Sequence, residues 1–265
     1  MSRTENATGE RAGRHAARPV RTCQVIAHRG GAAEAPENTW AAVEHTAGLG
    51  LAWMETDLRV TADRVVVLSH DPGLARTTGE DVLIRDLSWD ELQERDAGDG
   101  QPYVRLDDAL HAFPDLGLNV DLKEAAVVQP ALQAVRAAGA LERIRFASFS
   151  ARRLAVLRRQ EPHATTSVGL VDVAGLLLLA EAAVPLPHTR YGWTNGHVDA
   201  IQVPVSWRGV PVVTPRLVAV AHSAGIDVHV WTVDDPEEMR RLEAMHVDAV
   251  ITDVPSLALE VLHRV

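Results

Sequence analysis

From Cys23 to the C-terminus, apolar runs of strand length alternate with segments of helical period, and that alternation limits the fold more than any single motif does. CQVIAH, LAWMETDLRV, GLNVDLKE, IRFASF, TTSVGLV, DAIQVPVSW, DVHVWTV and DAVITDV read as strands. Helices are predicted for NTWAAVEHTAGLG, LDDALHAF, VVQPALQAVRAAGAL, ARRLAVLRRQ, VAGLLLLAEAAV, TPRLVAVAHSAG, PEEMRRLEAMHV and PSLALEVLHRV. About eight strand–helix units over roughly 245 residues have the size and rhythm of an α/β fold, the (β/α)8 TIM barrel. A doubly wound open sheet would normally need fewer strands. Its nucleotide-binding form would carry G-x-G-x-x-G where this chain has His28-Arg29-Gly30-Gly31.

The rhythm breaks once, from about residue 71 to 105, after the second strand and the VVVLSH run that follows it. This turn-rich stretch holds one short helix, started by Ser88 and Glu91 at capping-box spacing, and reads as an insertion over one end of the barrel. Residues 1–21 are polar and arginine-rich without an apolar core, so a disordered tail is expected before a domain spanning 22–265. The net charge of −10 argues against nucleic acid and against an anionic membrane surface as partners. The longest aliphatic run, Leu176 to Ala180, is too short to span a bilayer. The single cysteine, Cys23, permits no intrachain disulfide and reads as a small buried hydrophobe. The expectation is a cytoplasmic protein with a small-molecule substrate and no stable membrane insertion; homo-oligomerisation is left open.

Barrel chemistry sits where strands end. The first strand finishes on His28-Arg29, the second carries Glu55 and Asp57, the run after it ends on His70-Asp71, and the third carries Asp121 and Lys123. The seventh ends on Trp231 and the eighth on Thr252-Asp253. Strand side chains alternate, so Glu55 and Asp57 share a face, as do Asp121 and Lys123. Three carboxylates on neighbouring strands point to a hard divalent cation with oxygen ligands, which frees the histidines for proton transfer. Arg29 and Lys123 suit the oxygens of an anionic phosphate ester, and two histidines suit activation of a nucleophile and protonation of a leaving alcohol.

Each residue also has a plainer reading. A lone strand-end histidine is more often structural than catalytic, and the other ten histidines are read that way. Asp71 before Pro72 suits a turn, Asp253 suits an N-cap of the last helix, and Glu37 and Asn38 suit the start of the first. The case against the plain readings is the recurrence of polar residues at one end of consecutive strands.

The chain also resembles the glycerophosphodiester phosphodiesterase family. The resemblance rests on HRG at His28–Gly30, PENT at Pro36–Thr39, ETD at Glu55–Asp57, HD at His70–Asp71 and LARTTG at Leu74–Gly79, followed by DLSWDEL and DAG. DLK at Asp121–Lys123, VWTVD at Val230–Asp234 and ITDVP at Ile251–Pro255 complete an ordered series from about residue 24 onward. It implies His28 and His70 as acid/base pair, Glu55, Asp57 and Asp121 as ligands of Ca²⁺ or Mg²⁺, Arg29 and Lys123 on the phosphate, and Trp231 in the substrate pocket. It implies hydrolysis of a glycerophosphodiester substrate to an alcohol and sn-glycerol 3-phosphate. Two positions depart from the family pattern: Asp121 stands where Glu is usual, and Tyr103-Val104-Arg105-Leu106 replaces V-P-T-L. Competing readings are a related barrel phospholipase on lyso or intact phospholipids, and a silent barrel that binds a phospho-ligand. The first needs an interfacial apolar patch, for which the insertion offers Leu83, Ile84 and Trp89.

Overall fold

The computed structural model describes residues 22–168 and 197–263. Eight parallel strands close into a barrel: β1 Gln24–His28, β2 Trp53–Val60, β3 Gly117–Leu122, β4 Ile144–Ala147, β5 Thr165–Ser167, β6 His197–Pro204, β7 Asp227–Trp231 and β8 Ala249–Thr252. Ile26 closes the ring, pairing with Trp53 on one side and Ile251 on the other. The α/β barrel expected from the strand–helix rhythm is the fold observed. The N-terminal tail and the segment VAGLLLLAEAAV, predicted as a helix, lie outside the described residues.

Apart from the short helix of the insertion, seven described helices lie between or after these strands: Trp40–Gly48, Leu106–Ala112, Val128–Ala137, Ala151–Gln160, Pro215–Ser223, Pro236–Ala244 and Pro255–Leu262. Local chemistry sets several starts. Ser150, Thr214 and Asp235 each accept a backbone N–H of the first turn, and proline opens the last three helices. Two apolar clusters fill the layer between sheet and helices, one centred on Val228, Leu217 and Met239, the other on Leu118, Leu110 and Leu132. Cys23 is buried in the first, and burial pushes its thiol up to about 12, as suits a packing residue.

The VVVLSH run supplies only a short antiparallel strand, Val66–Leu68, against the end of β2, so His70 reaches the barrel mouth from outside the barrel sheet. The stretch after it contains a 3₁₀ turn at Ile84–Asp86, a helix at Trp89–Leu92 and a hairpin of Asp96–Gly98 with Gln101–Pro102. Its helix start has the capping box expected from Ser88 and Glu91. Leu74, Ile84, Leu87, Leu92 and Tyr103 form a small core beneath it. Ile84 is therefore not available as a surface patch.

Two sequence expectations fail here. Thr39, not Asn38, caps the first helix, accepting from Ala42 N. Asp253 does not cap the last helix, whose N-cap is Val254 without a side-chain hydrogen bond. Asn38 instead donates to Asp57, and Asp253 pairs with His28.

Candidate active site

A cavity of about 240 Å³ opens at the C-terminal end of the strands. His28, Arg29, Glu55, Asp57, His70, Asp121, Lys123 and Trp231 all line it, whereas Asp71, Thr252 and Asp253, also at strand ends, do not. Ser148, Phe149, Ser167 and Thr232, also on its wall, were not singled out in the sequence.

The turn after β1 is built for close packing. Gly30 adopts φ +87°, and a Cβ there would sit 2.5 Å from the Cβ of Ala42 on the first helix. Arg29 itself holds φ 52°, fixed by Asn38 N donating to Arg29 O at 3.0 Å. The glycines thus let the first helix approach the strand end and hold His28 and Arg29 in place.

His28 Nδ1 lies 2.7 Å from Asp253 Oδ1, and its Nε2 lies 3.8 Å from Glu55 Oε2. Burial pulls the imidazole pKa down, but the hydrogen bond to Asp253 and the Glu55 charge outweigh it, and the net shift is upward. His70 Nδ1 lies 2.9 Å from Asp71 Oδ1, and Arg76 pairs with both Asp71 and Glu37. The two histidines share one arrangement: Nδ1 on an aspartate, Nε2 left for another partner.

The charges interlock. Lys123 Nζ lies 2.7 Å from both Asp57 Oδ1 and Asp121 Oδ2. Arg29 Nη1 donates to Glu37 at 3.1 Å, and its Nε sits 3.2 Å from Asp57 without hydrogen-bond alignment. Asn38, at φ 58°, donates to Asp57 Oδ2 and accepts from Thr56 Oγ1. Burial raises the pKa of Asp57, but Lys123 and Arg29 hold it below the usual carboxylate range. Burial and the nearby Asp57 push Glu55 up to about 8. Burial also lifts Asp121, against the pull of Lys123.

These carboxylates have the chemistry of a hard-cation site. Asp121 Oδ1 is buried with no hydrogen-bond partner, and Glu55 is a carboxylate whose charge its surroundings do not balance. As the side chains stand, Asp57 and Asp121 converge on Lys123, and among the described residues no three His, Cys, Asp or Glu side chains close around one point.

The profile of the Glycerophosphoryl diester phosphodiesterase family matches residues 28–257. The chain belongs to that family. A Mycobacterium tuberculosis protein named "Probable glycerophosphodiester phosphodiesterase 2" is 37% identical over 241 residues, covering 90% of each chain. A "Glycerophosphodiester phosphodiesterase" of Caldanaerobacter subterraneus subsp. tengcongensis is 27% identical, covering 91% of this chain and 98% of that one. The fold matches an Oleispira antarctica phosphodiesterase solved with the product sn-glycerol-3-phosphate, with a TM-score of 0.73, 23% identity and coverage of 91% and 97%. Family membership makes the chain an enzyme, a phosphoric diester hydrolase. No described helix is long and apolar enough to cross a membrane.

Proposed function

We propose that this family member hydrolyses glycerophosphodiesters to an alcohol and sn-glycerol 3-phosphate, with His28 and His70 as the acid/base pair. The observation that carries the reading is the matched anchoring of the two histidines. Each Nδ1 is fixed on an aspartate, Asp253 or Asp71, in the pocket that also holds Arg29 and Lys123. That anchoring sets the tautomer and leaves each Nε2 for a proton of the substrate.

Arg29 and Lys123 place positive charge where the phosphate oxygens gain negative charge as the nucleophile attacks. The attacking hydroxyl, of water or of the glycerol 2-position, passes its proton to one histidine as its oxygen bonds phosphorus; on the second route a cyclic phosphate forms, and water must then open it to give glycerol 3-phosphate. The P–O bond to the alcohol breaks, and the second histidine supplies the proton that the departing oxygen needs. Trp231 and Phe149 form the apolar wall, meeting edge to face with ring centroids 5.8 Å apart.

Glu55, Asp57 and Asp121 would hold Ca²⁺ or Mg²⁺. Bound there, the cation would neutralise charge on the phosphate and on the carboxylates themselves. The unpartnered Asp121 Oδ1 and the raised Glu55 support this assignment. The shorter Asp121, where the family pattern has Glu, retains a free oxygen for the purpose.

The test is release of glycerol 3-phosphate from glycerophosphocholine with Ca²⁺, Mg²⁺ or EDTA, alongside His28→Ala. Release that needs metal and is lost in the variant is the expected result. Metal-independent release refutes the cation assignment. Absence of release with any metal and several head groups refutes the hydrolytic reading and favours a silent phospho-ligand-binding barrel.

A further inference from the structure

We propose that the hairpin after β6 seats the barrel mouth on a zwitterionic lipid surface, so that the enzyme meets phosphodiesters carried in lipid aggregates. This rests on the phosphodiesterase reading for what is cleaved, but not for where the protein docks. The hairpin pairs Ser206 with Pro211 and Trp207 with Val210, around a two-residue turn of Arg208 and Gly209. Both turn residues have positive φ, 50° and 80°, as a tight hairpin with matching twist requires. Directly opposed residues of a hairpin project from the same face, so Trp207 and Val210 form one apolar knob.

Among the described residues, three large apolar side chains stand exposed: Phe149 at 54%, Trp207 at 57% and Val210 at 66%. All three follow the C-terminal ends of β4 or β6, on the face that carries the active site. Phe149 lines the pocket itself, and Pro204, two residues before the hairpin, lines it too. Val205 O accepts from Val212 N and Val213 N, closing the hairpin base beside the mouth. From that base the tip extends roughly 10 Å at strand rise. Among the described residues, neither Trp207 nor Val210 belongs to any of the apolar clusters.

The composition selects the occupant. Tryptophan favours the interfacial zone of a bilayer, a valine beside it enters the acyl boundary, and Arg208 at the tip meets a headgroup phosphate. The net charge of −10 opposes an anionic leaflet and leaves a zwitterionic one. The exposed apolar area is on the order of 300 Å². A stable dimer buries about 800 Å² per partner, so a second copy is the weaker fit.

The test co-sediments the intact protein with phosphatidylcholine vesicles, with and without lysophosphatidylcholine. A double variant, Trp207→Ser with Val210→Ser, and a single variant, Val210→Asp, are run beside it. Hydrolysis of soluble glycerophosphocholine is measured in parallel. Wild type should sediment with both vesicle types. Both variants should lose at least tenfold in partitioning while keeping wild-type turnover of the soluble diester. A wild type that stays in the supernatant, or variants that sediment equally, would overturn the proposal. So would light scattering that shows a wild-type dimer and monomeric variants, which would make the knob a contact between copies. Hairpin-dependent sedimentation without any diester hydrolysis would support docking and refute the phosphodiesterase reading alone.

Discussion

Asp253→Asn should separate charge from geometry at His28. Asparagine keeps an oxygen that can accept from Nδ1–H but removes the negative charge 2.7 Å from the ring. In the wild type, burial lowers the imidazole pKa and the Asp253 and Glu55 interactions raise it further than burial lowers it. Without the Asp253 charge, burial gains weight, so the His28 pKa moves down. A hydrogen bond to a charged group contributes about 1.5–3 kcal/mol. Asp253 is 28% exposed, which argues for the lower half of that range. At about 1.4 kcal/mol per decade of rate, kcat/KM should fall roughly tenfold to a few tens of fold. The assay is kcat/KM on glycerophosphocholine across pH. One limb of the profile should move to lower pH, and Asp253→Ala should be worse than Asp253→Asn because it also releases the ring. A loss below about threefold with an unmoved profile would refute the account of His28.

Gly30→Ala should destabilise by about 1–3 kcal/mol, read as a lower melting temperature, because its Cβ would sit 2.5 Å from Ala42 Cβ at φ +87°. His229 is buried with an unpartnered Nδ1, and burial holds its pKa down at about 3. The unfolded chain then binds a proton that the native state refuses between about pH 6.5 and 3. Its contribution is present above about pH 6.5 and is lost as pH falls through that window. Urea unfolding at pH 7 and pH 5 should show a smaller acid loss for His229→Gln than for wild type. Asp121→Asn should raise the Ca²⁺ or Mg²⁺ concentration for half-maximal activity by about tenfold or more, since one carboxylate charge leaves the proposed donor set; an unchanged metal titration would remove Asp121 from that set.

The parts of the site that the sequence reveals are those set by local geometry. Glu55 and Asp57, two residues apart on β2, must share a face, and so must Asp121 and Lys123 across the end of β3. The barrel rhythm then puts strand ends together, which is why seven of the eight residues reach one pocket, His70 joining them from just after the short strand outside the barrel. What sequence reasoning misses depends on closure. Asp253 lies 225 positions from His28 and meets it only because β8 pairs with β1. As a short polar residue before a proline-started helix, it satisfies the rules for a cap equally well. Glu37 and Asn38 look like a helix start for the same reason, yet Glu37 bridges Arg29 and Arg76, and Asn38 binds Asp57. Hydrophobicity alone also misplaced the apolar surface. Ile84 of the insertion is 1% exposed, whereas Trp207, on a strand extension that composition would bury, is 57% exposed.

The central claim is that His28 and His70 divide proton transfer between nucleophile and leaving group. It is tested by kcat/KM of His28→Ala and His70→Ala on glycerophosphocholine and on an analogue whose leaving group is p-nitrophenol. Both variants should lose roughly 10²–10⁴-fold on the choline ester. On the activated ester, which departs without a proton, one variant should recover most of its rate and the other should not. Equal impairment of both variants on both esters, or no impairment of either, would contradict the two-histidine account.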